Sequence, residues 1–279
     1  MRLKEKLAKL KDLLRGYGSC LIAFSGGVDS TLLLKVASSV LPAQGILAVT
    51  AKSPTYPAQE LAFAKRIAKE LGVRHIIIKT NELKDKRFVS NPVNRCYFCK
   101  QKLFARLRKL ASGNKLKYVC DASNISDKSD FRPGNLAKQR SGVRSPLFEA
   151  GLSKEDIRKL SRSFKLITWD KPSLACLASR IPYGVRITRV ILSRIDKAES
   201  MLRSEGFKQC RLRHYNGLCR IEVQEEDLLR VLSRRNRVID KLKKLGYNYV
   251  TLDLEGYRTG SMNPTLPKKL RDKLVGRAG

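Results

Sequence analysis

Long hydrophobic runs are missing from this sequence. No stretch approaches the roughly 18 apolar residues that a membrane-spanning helix requires, which excludes that class of protein. Histidine is scarce: His75 and His214 are the only two, and neither has ligand spacing, so a histidine-built zinc site has no support. Aromatic residues make up 7% of the chain and are not interleaved with the basic ones, so the stacking platforms of single-strand binders are lacking. Internal repeats and low-complexity tracts are absent as well. Acidic residues are few, with 25 Asp and Glu against 58 Lys and Arg.

That imbalance leaves a formal charge of +33. Such a field attracts nucleic acid, anionic lipid or phosphorylated small molecules. The basic residues are spread along the chain, as on a solvated basic surface, so nucleic-acid binding stays open without being favoured. The stretch "MRLKEKLAKLKDLLRGYG" lacks an apolar core and a small-residue cleavage site, and reads as an amphipathic helix rather than a signal peptide. The expectation is a cytoplasmic protein. Seven cysteines, an odd number, agree with reduced thiols rather than a disulfide framework.

Apolar runs and amphipathic segments alternate through the first half. "SCLIAFS", "GILAVTA", "RHIIIKT" and "KYVCDAS" read as strands, while "DSTLLLKVASSVL" and "YPAQELAFAKRIAKELG" carry apolar residues at helical spacing. Strands alternating with helices predict an α/β domain with a parallel sheet covered on both faces. Ser153 followed by Asp156 suggests a capping box that opens a further helix. Beyond Tyr183 the pattern changes to a helix up to Glu205, strands "CRLRH" and "GLCRIEV", a long charged helix from about Glu225 to Leu245, and the strand "YNYVTLDL". The expected division is therefore a domain over 1–183 and a smaller α+β domain over 184–279, ending in a loop and a short basic helix.

Between the first strand and helix lies "SGGVDS", Ser25 to Ser30. A Gly-Gly entry into a helix lets backbone N–H groups approach a ligand closely, and the helix N-terminus favours an anion. The Walker Gly-Lys-Ser/Thr ending and the three spaced glycines of a dinucleotide fold are both lacking. A phosphate site competes here with a plain tight turn in which Asp29 favours the helix N-terminus. Elsewhere, Cys96 and Cys99 are three residues apart at a helix start, so their sulfurs share one face of the first turn. Two thiolates complete neither a zinc nor an iron–sulfur site, so a buried structural pair and a metal site both remain open. Cys20, Cys120, Cys210 and Cys219 fall in predicted strands and read as core.

"SGGVDS" resembles the pyrophosphate loop of the PP-loop ATP pyrophosphatases. With "RPG" at Arg132–Gly134, "SRIPYG" at Ser179–Gly184, "RLRH" at Arg211–His214, "RIEV" at Arg220–Val223 and "YVTLDLEGYRTGSMN" at Tyr249–Asn263, nearly the whole chain resembles the LarE family. The resemblance implies an ATP-dependent sulfur transferase of nickel-pincer nucleotide synthesis. Such an enzyme adenylylates a carboxylate of pyridinium-3,5-dicarboxylate mononucleotide, and sulfur then displaces AMP to leave a thiocarboxylate. It places Ser25, Gly26, Gly27 and Ser30 on the pyrophosphate, Asp29 on Mg²⁺, and Ser53 near adenine or ribose. Arg132 and Arg180 are implied to neutralise the adenylate or substrate carboxylates, Arg211 and Arg213 to bind the substrate phosphate, and Glu199 and Glu222 to lie near a metal. Cys176 matches the family's active-site cysteine. Together with Cys96 and Cys99 it gives the three-cysteine pattern, implying a [4Fe–4S] cluster whose open iron carries sulfide from an external donor. Relatives suggest a homo-oligomer, a hexamer among them. An iron–sulfur tRNA thiolase with a PP-loop is the nearest rival, although flanking C-x-x-C pairs and an RNA-binding domain are not seen. A basic nucleic-acid-binding protein with a degenerate loop is the rival of another class.

Overall fold

The computed structural model describes residues 2–129, 134–173 and 175–266. Arg132 and the tail with its expected basic helix therefore lie outside the described residues. Four strands, β1 (Cys20–Ala23), β2 (Ile46–Lys52), β3 (His75–Lys79) and β4 (Tyr118–Cys120), form one parallel sheet in the order β3-β2-β1-β4. The helices Val28–Ser38, Ala58–Glu70 and Arg95–Gly113 make the crossovers. Central β1 and most of β2 are buried, as expected where helices cover both faces of a parallel sheet. The helix Ala58–Glu70 stops at Gly72, which takes φ 64, a conformation glycine adopts without strain. Cys20 and Cys120 pack in this core, and every cysteine in the protein is free.

A second sheet joins β5 (Cys210–Tyr215) to β6 (Leu218–Val223) antiparallel, with β7 (Tyr249–Leu252) added parallel to β6. The helix Arg189–Ser204 packs on β5. The expected long helix over 225–245 is instead a short turn followed by two helices, Leu228–Ser233 and Arg235–Lys244, broken at Arg234. The break lets Arg234 and Arg230 both donate to the carbonyl of the buried Glu205, at the end of the helix Arg189–Ser204. Capping that end outweighs helical continuity, and no local pattern announces it.

The second core also recruits Phe88, Leu177, Ala178 and Ile181 from earlier in the chain. A seam of hydrogen bonds holds these segments together. Asn91 Nδ2 donates to the carbonyls of Ile181 (3.3 Å) and Pro182 (2.7 Å), Gly184 N–H to Asn91 O (3.0 Å), and Ile187 N–H to Val89 O (2.9 Å). The approach to Cys96 is thereby laid against the loop that follows Cys176. Among the described residues no helix is long and apolar enough to cross a membrane.

The capping box at the helix Lys154–Ser163 forms as the spacing predicts. Asp156 N–H donates to Ser153 Oγ (3.2 Å), and Ser153 N–H to Asp156 Oδ2 (3.0 Å), which also accepts from Lys6 Nζ at 2.6 Å. Burial pushes the Asp156 carboxyl up, but Lys6 and the Ser153 donors outweigh it and hold it below its usual value. Asp156→Ala should lower stability by about 1–2 kcal/mol in urea denaturation at neutral pH. Because the folded-state carboxyl is depressed, that difference should be full above about pH 4 and vanish as pH falls through the native value.

Candidate active site

The loop after β1 folds as a compact cradle. Gly26 has φ 65, and a Cβ there would stand 3.1 Å from Ala64 Cα and 3.2 Å from Ala64 Cβ, so the position requires glycine. Ser30 Oγ lies 3.1 Å from Ser25 Oγ and donates to Gly27 O at 3.2 Å, while Ser25 N–H points back to Ser30 Oγ at 3.3 Å. Gly27 caps the helix Val28–Ser38, whose free N–H groups open toward the loop. Such a nest suits phosphate oxygens. Asp29 is already engaged: Oδ2 accepts from Lys154 Nζ at 2.6 Å and Oδ1 from Asn124 Nδ2 at 3.2 Å.

Two lysines that sequence reasoning missed stand at this loop. Besides Lys154, Lys171 donates to the carbonyl of Gly26 (3.1 Å) and to Glu60 Oε2 (2.7 Å), with its ammonium 3.5 Å above the Phe63 ring. Burial pulls its pKa down, while Glu60 pulls it up. Lys171 is far from Gly26 in sequence, and no local motif marks it. Pro172 behind it shows only that the chain is extended there.

The turn after β2 links this loop to the cysteines. Ser53 Oγ and Thr55 Oγ1 are 2.8 Å apart, and Tyr56 Oη donates to the carbonyl of Ser25 at 2.6 Å. On its other side Thr55 O accepts at 2.9 Å from the N–H of Leu177, the residue after Cys176. Cys96 and Cys176 are exposed and Cys99 is half-buried. Burial pushes the Cys99 thiol up, and Cys176, Glu82 and Cys96 push it the same way. The Cys176 thiol is raised too, first by crowding of protein around it and then by Cys96, against the neighbouring Thr55 hydroxyl. The three sulfurs thus gather within mutual electrostatic reach. Among the described residues, however, no group of three or more His, Cys, Asp or Glu side chains is arranged to hold a single metal ion.

Arg180 is fully buried, and its fork is committed to protein. Nε and Nη2 donate to the two oxygens of Glu199 at 2.8 and 2.9 Å, and Nη1 to the carbonyls of Ala175 (2.8 Å) and Cys176 (3.1 Å). It therefore grips the Cys176 loop from behind rather than presenting itself to a ligand. Glu199 faces three arginine and backbone donors, not an open metal site. Arg213 makes a similar two-pronged pair with Glu222 at 2.9 and 2.7 Å, and Ser261 and Arg220 also bind that carboxylate. Arg211 differs. It donates to the carbonyls of Cys210 and Ser173 and lies over the Tyr257 ring, with no carboxylate partner among the described residues. The two histidines are structural, His75 against Thr50 and His214 against Tyr247.

Two consequences can be measured. Gly26→Ala should cost about 1–3 kcal/mol of stability and weaken ATP binding at least tenfold by calorimetry, since both φ and the Ala64 contact oppose it. Glu199→Gln leaves Arg180 buried beside a neutral amide. It should cost about 3–5 kcal/mol in denaturant unfolding and expose the Cys176 loop to limited proteolysis.

A family model described as asparagine synthase matches residues 9–90, the segment that contains the cradle. An uncharacterized protein of Synechocystis is 41% identical over 95% of this chain and 100% of its own. One of Methanocaldococcus jannaschii is 30% identical over 91% of this chain and 98% of its own. The pyridinium-3,5-bisthiocarboxylic acid mononucleotide synthase of Lactiplantibacillus plantarum is 38% identical over 94% of both chains. With a nucleotide cradle of this kind and that relative matched almost end to end, the chain belongs to the LarE family of PP-loop, ATP-dependent sulfur transferases.

Proposed function

We propose that the protein uses ATP to activate a carboxylate of pyridinium-3,5-dicarboxylate mononucleotide and replaces the activated oxygen by sulfur. A carboxylate oxygen attacks the α-phosphorus and pyrophosphate leaves. Sulfide then attacks the acyl carbon and AMP leaves, giving a thiocarboxylate. The observation that carries this reading is the Ser53–Tyr56 turn, which bonds Ser25 of the phosphate loop on one side and Leu177, next to Cys176, on the other. Sulfur chemistry and nucleotide activation would thus share one wall.

Gly26, Gly27, Ser25 and Ser30 hold the pyrophosphate, with Lys154 and Lys171 supplying positive charge beside it. Ser53 meets the ribose or adenine. Asp29 fits Mg²⁺, because its carboxylate is a hard oxygen donor whose present partners, the Lys154 ammonium and the Asn124 amide, are both exchangeable. Arg211 receives the substrate phosphate, and Arg213 is held in place by Glu222. Arg180 positions the Cys176 loop.

Cys96, Cys99 and Cys176 would be the three thiolate ligands of a [4Fe–4S] cluster, leaving one iron without a protein ligand. When bound, that cluster would supply an iron site for hydrosulfide, making sulfur delivery repeatable. Thiols raised by burial must lose protons to bind iron, so loading should improve with rising pH.

Anaerobically reconstituted protein should contain close to four iron and four sulfide per chain. It should convert ATP to AMP with the dicarboxylate nucleotide and not with bulk tRNA. Cys96→Ala should lose the broad cluster absorption and repeated turnover. Turnover with tRNA instead would reassign the protein as a tRNA thiolase, and salt-sensitive nucleic-acid binding without AMP release would make it a binding protein. Full iron and activity in Cys96→Ala would overturn the three-ligand arrangement.

A further inference from the structure

Arg95 opens the helix that carries Cys96 and Cys99, and its side chain is only 6% exposed. Its guanidinium lies over the Tyr183 ring, 5.0 Å from the centroid. Arg95 directly precedes Cys96, and Tyr183 follows the Leu177–Arg180 turn that Cys176 opens. Yet Nη1 is buried with no hydrogen-bond acceptor, sulfur included, among the described residues. Among the described residues no carboxylate pairs with this arginine. Two other buried arginines, Arg180 and Arg213, each hold a glutamate two-pronged, and the buried Arg211 at least donates to two carbonyls. A buried guanidinium without a counter-charge is costly, and an orphaned donor adds to the cost. A site that tolerates both is built for an anion that arrives from outside.

We infer that Arg95 is a binding residue for a carboxylate of the substrate, and holds it beside Cys176 and Cys96 where sulfur is transferred. The assignment rests on the proposed function and adds to it the group that recognises the reacting end of the nucleotide. Neither cysteine sulfur satisfies Nη1, so the missing partner is an oxygen anion. The pyrophosphate has the Gly26–Gly27 cradle and the substrate phosphate has Arg211, which leaves the ring carboxylate. A planar fork matches a carboxylate in two-pronged fashion, and Tyr183 fixes the plane of that fork. The seam from Asn91 to Ile181 and Pro182 holds Tyr183 and Arg95 in register. Arg95 thus takes the part that sequence resemblance gave to Arg180, whose own fork is occupied.

The test compares wild type, Arg95→Met and Arg95→Lys as full-length, reconstituted protein. Calorimetry would measure affinity for pyridinium-3,5-dicarboxylate mononucleotide, for nicotinamide mononucleotide (same pyridinium and phosphate, no ring carboxylate) and for ATP. Arg95→Met should bind the dicarboxylate nucleotide about tenfold to a hundredfold more weakly, the loss expected for a hydrogen bond to a charged group. Its affinities for nicotinamide mononucleotide and ATP, and its iron content, should match wild type. Arg95→Lys, which keeps the charge and drops the fork, should fall between, and it carries the test alone if the Met variant does not fold. Equal affinity for the dicarboxylate nucleotide in wild type and a folded variant would overturn the inference, as would loss of iron with affinity unchanged. If wild type itself binds no dicarboxylate nucleotide, the functional reading fails first, a result distinct from either.

Discussion

The pair formed by Arg180 and Glu199 is the contact on which the rest depends. Both side chains are fully buried, and together they tie three parts of the chain. Arg180 grips the carbonyls of Ala175 and Cys176, and Glu199 accepts from Leu212 N–H at 3.1 Å on β5. A buried ion pair adds little net stability, because desolvation consumes most of the Coulomb gain, but its geometry admits few alternatives. Here that selectivity falls on an irregular loop between Pro172 and Pro182, which has no ladder of its own to hold it. The pair acts together with the bond from Leu177 N–H to Thr55 O to hold Cys176 beside the turn after β2.

Charge is distributed with similar purpose. The excess of +33 is mostly solvated, as exposed lysines and arginines usually are. A few cations are withdrawn from water and given defined work. Lys154 and Lys171 flank the phosphate cradle, Arg180 and Arg213 are spent on glutamates, and Arg95 and Arg211 are left without carboxylates. The distinction between spent and unspent arginines separates positioning residues from candidate anion receptors. The overall charge, by contrast, says little about partners.

Much of the parallel sheet and its covering helices was legible in the sequence. Its four strands contain near-continuous apolar runs, its helices carry one apolar face, and Gly26 and Gly72 mark turns that demand positive φ. The capping box at Ser153 was equally local. The helix broken at Arg234 was not legible, because the break is driven by a carbonyl thirty residues earlier that needs a donor. At the site, the cradle and the three cysteines were visible as motifs. Lys171, Lys154, Thr55 and Arg95 were not, since each is an ordinary residue type whose meaning comes from what faces it.

The sequence alone therefore determined the class of fold and the glycine turn that opens the helix Val28–Ser38, because these depend on local spacing and on residue types with few substitutes. Only the tertiary structure decided which charges are free. Whether an arginine is a receptor or a strut depends on the carboxylates that folding brings to it, and those partners lie far away in sequence, as Glu199 does from Arg180. The same holds for the meeting of Cys176 with Thr55. Long-range packing sets that contact, and no periodicity in the chain records it.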